Sequence, residues 1–186
     1  MTNITLKAVW GILLAGTLSN NYALLHFLGT GAVLENQDHN CKQSMLLGLG
    51  VTCVMVIANL ITWPIDAYIL DNAAYLQPIV FVIVILIIAE VLKSAVKGKA
   101  GDFCNTNFAK FAINGAILGL CIHNTANDYL TAVINSAAVG IGFAITLTVF
   151  GELRQRIDED AVSRAFRGLP INILIAGFMA LAILAF

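Results

Sequence analysis

Charged residues divide the chain into six long uncharged runs. The runs cover residues 8–34, 43–65, 72–89, 111–127, 129–151 and 168–186, and they are 17 to 27 residues long. A helix that crosses the hydrocarbon core of a bilayer needs about 20 mostly apolar residues, within a range of about 17–25. The pattern therefore predicts an all-α integral membrane protein with six transmembrane helices.

The helices are expected near residues 4–27, 44–63, 73–96, 108–124, 130–153 and 169–184. Pro64 predicts the end of the second helix, and Pro170 fits the first turn of the sixth, where a missing N–H costs least. Glycine pairs in the second and fifth helices predict close packing against a neighbouring helix. These pairs are Gly48 with Gly50 and Gly140 with Gly142.

Composition supports a membrane protein and excludes several other classes. Hydrophobic residues make up 59% of the 186 residues and charged residues 11%, against about 25% charged in a typical soluble domain. A net charge of −1 gives no reason to expect nucleic-acid binding. The four cysteines have no C-x-x-C spacing, so neither a disulfide framework nor a zinc site is expected.

The first run is longer than a signal peptide's apolar region and is interpreted as a retained helix.

Lys and Arg are distributed unevenly between the predicted loops. With six spans, one side of the membrane receives only Lys7, and the other receives the remaining nine of the ten basic residues. Cytoplasmic loops carry the excess of Lys and Arg. Both termini are therefore expected on the non-cytoplasmic side.

Polar residues and glycines interrupt the first and fourth helices. Gly31-Ala32-Val33-Leu34 has a partial echo 84 positions later, in Gly115-Ala116-Ile117-Leu118. Each half of the chain contains three predicted spans. Because three is an odd number, two homologous halves, near residues 1–97 and 104–186, would have opposite orientations and form inverted repeats within one membrane domain. Transporters of that design place their site near the midplane, between discontinuous helices of the two halves.

The two interrupted segments supply the candidate site. We expect it to be lined, as a cofactor- or ion-binding site, by Asn20, Asn21, Gly29, Thr30, Gly31, Asn114, Gly115 and Ala116. The asparagines, with Asn124, either satisfy broken backbone or line an ion or cofactor site.

Histidine and cysteine leave two interpretations open. His26 and His123 fit either interhelical hydrogen bonding or a ligand or proton-relay role. Cys53 and Cys121 fit small buried hydrophobes or, less readily, metal ligands.

Several segments, in order, resemble the RnfA/NqrE family. That family comprises the A subunit of the Rnf ion-translocating oxidoreductase and the E subunit of the sodium-pumping NADH:quinone oxidoreductase. The similarity covers nearly the whole chain. It is carried by residues 20–29 (NNYALLHFLG), 45–50 (MLLGLG), 63–70 (WPIDAYIL), 114–119 (NGAILG) and 166–168 (FRG).

The resemblance implies a subunit of a redox-driven Na⁺ or H⁺ pump in the cytoplasmic membrane of a bacterium or archaeon. It implies pairing with a homologous subunit of the RnfE/NqrD type, of opposite topology, and no catalysis by this chain alone. In that family the pair holds a two-iron two-sulfur cluster with two cysteines from each subunit. The matching positions here are Gly31 and Gly115, and glycine offers neither the thiolate nor the imidazole that such clusters need.

Two hypotheses follow from the sequence. The chain is a membrane subunit of an Rnf/Nqr-like pump, as scaffold and lining of the cation path, with or without a cluster. Alternatively, it is a non-redox transporter or channel subunit that has lost the cluster. Cys53, Cys121, His26 and His123 are not expected to replace the missing ligands, and the family's 2Fe–2S cluster is not expected in its usual place.

Overall fold

The computed structural model describes residues 41–70, 74–95, 114–158 and 162–184, together with Gly11. Within these ranges every regular element is helical and no strand occurs, which confirms the all-α class. The predicted first helix lies outside the described residues.

Five α-helices follow one another along the described ranges. They are α1 (Cys41–Ile65), α2 (Gln77–Ala95), α3 (Gly115–Asn124), α4 (Tyr129–Gln155) and α5 (Leu169–Leu184). Three segments are long and apolar enough to cross a membrane: Ser44–Ile69, Gln77–Ser94 and Tyr129–Gln155. Helix α3 and the segment Leu169–Ala182 of α5 are shorter apolar helices.

The outer surface of α2 is apolar, as expected for a helix that faces lipid. Ile79, Ile83, Ile87 and Val91 follow at four-residue spacing and are each more than half exposed. Such a stripe is costly in water but not against lipid tails, which are as apolar as the side chains. Glu90 and Lys93 form an exposed ion pair at 3.5 Å near the end of α2.

The tightest packing joins α1 and α4 through small residues. A Cβ atom at Gly48 would lie 2.6 Å from Cα of Ala144, and one at Gly140 would lie 2.5 Å from the Thr52 methyl carbon. Gly48 faces Ala144, whereas Thr52, further along α1, faces Gly140, which comes earlier in α4. The two helices are therefore antiparallel. Gly48 and Gly140, one glycine of each predicted pair, thus let the two helix backbones approach closely.

One predicted boundary is wrong. Pro64 lies inside α1, which continues to Ile65 and then into a π-helical turn, Asp66–Leu70. Proline removes one hydrogen bond from the ladder, but the residues after it can still turn helically, here with the wider π geometry. Asp66 lies in this turn, and its Oδ1 accepts a 2.8 Å hydrogen bond from Nε2 of Gln77.

The sixth predicted helix has the expected bounds. Gly168 adopts a φ of 79°, which glycine tolerates better than other residues. Its carbonyl oxygen accepts from the backbone N–H of Asn172 at 3.4 Å. Pro170 occupies the first turn of α5, in agreement with the sequence.

Candidate functional site at the ends of helix α3

Helix α3 begins at a well-formed cap. Asn114 has extended backbone angles, φ −105° and ψ 106°, and its side-chain Oδ1 accepts from the N–H of Ala116 at 3.0 Å. Its carbonyl oxygen accepts from the N–H groups of Ile117 at 3.1 Å and Leu118 at 3.5 Å. Asn114 therefore satisfies three donors of the first turn, the role of an N-cap, and the helix break expected near Asn114-Gly115 is the start of α3.

The two residues after the cap face different surroundings. Gly115 is exposed, whereas Ala116 is completely buried. A side chain at position 115 would therefore start at an open surface of the described structure. Gly115 itself offers no side-chain donor atom to a metal.

The described thiols do not compensate for that glycine. Cys121 is 1% exposed and lies six residues after Gly115, roughly 9 Å along the helix at 1.5 Å per residue. Cys53 is exposed on α1. Among the described residues no three His, Cys, Asp or Glu side chains are grouped closely enough to hold a metal ion. This half of the expected paired site therefore does not fit an iron–sulfur cluster.

The other half lies outside the described residues. It includes Asn20, Asn21, His26, Gly29, Thr30 and Gly31, which stay a prediction. His123, by contrast, is described, and it is exposed in the last turn of α3.

Helix α3 ends in a buried polar network centred on Asn124. Its Nδ2 donates to Ser136 Oγ at 3.0 Å, to the Ala132 carbonyl at 3.1 Å and to Asn59 Oδ1 at 3.3 Å. Its Oδ1 accepts from Nδ2 of Asn135 at 2.7 Å and of Asn127 at 3.5 Å. Three acceptors share two amide hydrogens, so the longest of these three contacts, to Asn59, is the weakest. The network fastens the end of α3 to both α1 and α4.

Three members of this network were not selected from the sequence. Asn59, Asn135 and Ser136 lie within apolar runs, and polar residues there are a signal for interior-facing or functional positions. That signal was present for Asn59 and Ser136, which are both completely buried.

A second contact lies one helical turn from Asn59. Thr62 of α1 lies beside the thiol of Cys121 of α3. The hydroxyl oxygen of Thr62 nevertheless has no partner within the usual distance and angle of a hydrogen bond. Asn59 faces Asn124 and Thr62 faces Cys121, so α1 and α3 run antiparallel. Cys121 is buried among apolar residues such as Leu120 and Ile117, the surroundings of a small hydrophobe.

Aromatic residues close the same end of the bundle. Nε1 of Trp63 donates to the Asn127 carbonyl at 2.8 Å, and the ring packs edge-on against Tyr129 with centroids 5.2 Å apart. Trp and Tyr are enriched where helices leave the bilayer. The turn between α3 and α4 is thereby bound to the end of α1.

The two asparagines of this arrangement hold a short helix at both of its ends. Asn114 fixes the start of α3 and Asn124 its end, both from buried positions. Neither amide titrates or acts as a nucleophile. These two amides therefore bind and position other groups.

Comparison with known proteins identifies relatives along nearly the whole chain. The family described as "Rnf-Nqr subunit, membrane protein" matches residues 9–186. The A subunit of the ion-translocating oxidoreductase complex of Syntrophotalea carbinolica is 31% identical over 183 residues, 94% of each chain. The A subunit of the Na⁺-translocating ferredoxin:NAD⁺ oxidoreductase complex of Acetobacterium woodii is 29% identical over 182 residues, again 94% of each chain.

A third relative differs in the ion that its name gives. It is the A subunit of the proton-translocating ferredoxin:NAD⁺ oxidoreductase complex of Clostridium ljungdahlii, 27% identical over 182 residues and 94% of each chain. The resemblance drawn from the sequence motifs is thus confirmed, and the chain belongs to the Rnf-Nqr family of membrane subunits.

Proposed function

We propose that this chain is an integral membrane subunit of a redox-driven complex that translocates Na⁺ or H⁺. The observation that carries the proposal is the end-to-end match, over 94% of each chain, with proteins named as the A subunit of ion-translocating oxidoreductase complexes. Three helices of membrane-crossing length and the apolar surface of α2 support the location. The chain acts as a scaffold and lines the ion path, without catalysing a reaction alone.

The proposed architecture has six spans in one membrane domain, with inverted repeats near residues 1–97 and 104–186. Both termini lie outside the cytoplasm, because nine of ten basic residues fall on the opposite side. A homologous subunit of the RnfE/NqrD type, of opposite topology, completes the paired site. The complex resides in the cytoplasmic membrane of a bacterium or archaeon.

In this proposal the chain supplies no cluster ligand from the paired site. Gly31 and Gly115 occupy the two ligand positions, and the described thiols lie elsewhere. The lining residues Asn20, Asn21, Gly29, Thr30, Asn114 and Ala116 serve packing and passage instead.

One observation favours a second function. Gly115 is exposed beside the capped start of α3, so no side chain occupies the position where the family's thiolate would stand. A non-redox transporter or channel subunit would use this position directly.

Deletion of the chain from its own complex separates the two functions. Inverted membrane vesicles with and without the chain are assayed for NADH- or ferredoxin-linked redox activity and for coupled Na⁺ and H⁺ uptake. Loss of both on deletion, restored by the wild-type chain, supports the pump subunit. Unchanged redox activity and unchanged coupled Na⁺ and H⁺ uptake after deletion support the transporter and contradict the pump subunit.

Metal analysis tests the missing ligands independently. The chain is purified alone and with its partner subunits, and iron content and EPR spectra of the dithionite-reduced protein are measured. We expect no iron and no cluster signal from the chain alone. A stoichiometric two-iron signal from the isolated chain would overturn the proposal that it supplies no cluster ligands.

A further inference from the structure

The turn before α5 presents two arginines and an aromatic ring at the surface. It consists of a short 3₁₀ helix, Arg164–Phe166, followed by Arg167 and Gly168. Both arginines are exposed, and Phe166 is 50% exposed. The motif Phe166-Arg167-Gly168 contributed to the family resemblance, but the proposed function gives it no role.

Hydrogen bonds within the turn hold its shape. The backbone N–H of Phe166 donates to the Ser163 carbonyl at 2.9 Å, and Nε of Arg167 donates to the Val162 carbonyl at 3.1 Å. Residues three apart in a 3₁₀ helix lie one above the other, so the side chains of Arg164 and Arg167 begin on the same side of the turn. Like charges at such spacing destabilise a helical turn, and an anion that accepts from both guanidinium groups offsets this repulsion.

The charge of the turn is positive. Asp160 is the last acidic residue of the chain. Two further acidic residues of this region lie earlier, Glu152 in the last turns of α4 and Asp158 just after that helix. Among the described residues Arg164 makes no ion pair. An anionic partner is therefore complementary to this surface.

The turn lies where the chain enters the membrane. Helix α5 follows it directly and contains no charged residue. Leu169, Phe178 and Leu181 on its outer surface are each more than half exposed, as expected for contact with lipid tails. Arginines at the end of such a helix lie at the level of the lipid headgroups. In the proposed orientation this is the cytoplasmic leaflet, whose anionic lipids attract basic segments.

From this arrangement we propose that the turn of residues 162–168 binds the phosphate of an anionic phospholipid through the guanidinium groups of Arg164 and Arg167. A planar guanidinium donates two parallel hydrogen bonds to a phosphate. Phe166 and Leu169 contact the acyl chains of the same lipid. A phospholipid is favoured over a free phosphate ion because basic and apolar side chains are exposed within one short segment.

Native mass spectrometry of the full chain, released from detergent micelles, measures lipid binding directly. Palmitoyl-oleoyl phosphatidylglycerol is the anionic probe, and phosphatidylcholine with the same acyl chains is the zwitterionic control. We expect the first phosphatidylglycerol to bind more tightly than phosphatidylcholine, by about fivefold for each arginine that contacts it.

Single replacements locate the lipid. Arg164→Gln and Arg167→Gln should each weaken phosphatidylglycerol binding about fivefold and leave phosphatidylcholine binding unchanged. Arg156→Gln is the matched control, because Arg156 is an exposed arginine at the end of α4 and lies outside the turn. Its replacement should not change the affinity for the first lipid. Circular dichroism confirms that each variant keeps the helical content of the wild type.

Four results would each overturn the site. Equal affinities for the two lipids would show that charge is not recognised. Equal losses in Arg156→Gln and Arg164→Gln would show a general attraction of anionic lipid to this end of the protein. Displacement of the lipid by soluble glycerol phosphate at similar concentration would indicate a site for free phosphate.

The fourth result concerns the assembled complex. If the chain within its complex binds no phosphatidylglycerol that depends on Arg164, a partner subunit and not lipid covers the turn. Retention of that lipid in the complex supports the proposal. The deletion test of ion translocation is independent of all these measurements, so the two proposals fail separately.

Discussion

The side-chain amide of Asn124 on α3 donates a 3.3 Å hydrogen bond to the side-chain oxygen of Asn59 on α1. Both residues are completely buried. Buried polar groups cost free energy unless they are paired, and the contacts of Asn124 with Asn59, Asn135 and Ser136 form together only if three helices meet in one register. The contact therefore specifies how α1, α3 and α4 assemble, although hydrophobic packing supplies most of their contact surface.

Replacement of Asn124 by leucine should destabilise the bundle strongly. Asn124→Leu keeps approximately the same size but leaves Nδ2 of Asn135 and Oδ1 of Asn59 without their partner at position 124. A buried group left unpaired costs about 1–3 kcal/mol, so we expect a loss of about 2–4 kcal/mol. Unfolding by SDS in mixed micelles, followed by circular dichroism, measures it.

Asn127→Ala provides the control for that measurement. Its side chain reaches Asn124 only at 3.5 Å and is half-buried, so its removal should cost less than about 1 kcal/mol. Equal losses in the two variants would show that the Asn124 network does not hold the helices together.

Gly48→Ala should weaken the contact between α1 and α4. The added Cβ would lie 2.6 Å from Cα of Ala144, and a backbone atom cannot move aside as a flexible side chain can. Overpacking of this kind costs about 1–3 kcal/mol. The free energy of unfolding in the same micelles is the measurement.

Gly177→Ala is the matched glycine substitution. It lies within α5, and a Cβ there meets nothing within 4 Å, so the variant should be as stable as the wild type or gain about 0.5–1 kcal/mol from helix propensity. If both glycine variants lose stability equally, steric contact with Ala144 is not the reason.

The sequence predicted elements best where local signals were strong. The bounds of α5 follow from Gly168 and Pro170, two residues whose backbone preferences act over one turn. The π-helical turn after Pro64 could not be read, because proline indicates where a ladder hydrogen bond is missing and not how the residues after it turn.

The same limit applies to the site. The capping role of Asn114 was predictable from the broken helix, since an N-cap is a local interaction. The partners of Asn124 were not, because a polar residue in an uncharged run indicates an inward-facing position but not which residue of another helix it meets. Asn59 and Ser136 come from different runs, and only the assembled helices bring them together.

A cysteine at position 115 should be reactive while Cys121 is not. Gly115→Cys places a thiol at an exposed residue, whereas Cys121 is 1% exposed and lies within the core. We expect N-ethylmaleimide to modify position 115 of the isolated folded chain and to reach Cys121 only after denaturation. Mass spectrometry of peptides gives both extents, and a modified Cys121 in the folded chain would contradict its burial.

The proposed orientation places the C-terminal end of α4 on the cytoplasmic side of the membrane and its N-terminal end on the opposite side. Ala126 lies in the turn before α4, and Ser163 lies after it; both are exposed. Ala126→Cys and Ser163→Cys are made singly in a background whose four native cysteines are replaced by alanine. With an impermeant maleimide, intact right-side-out cells should label position 126 only, and permeabilised cells both, because basic residues gather on the cytoplasmic side. Labelling of position 163 alone in intact cells would reverse the orientation, and labelling of both would show that α4 does not cross the membrane.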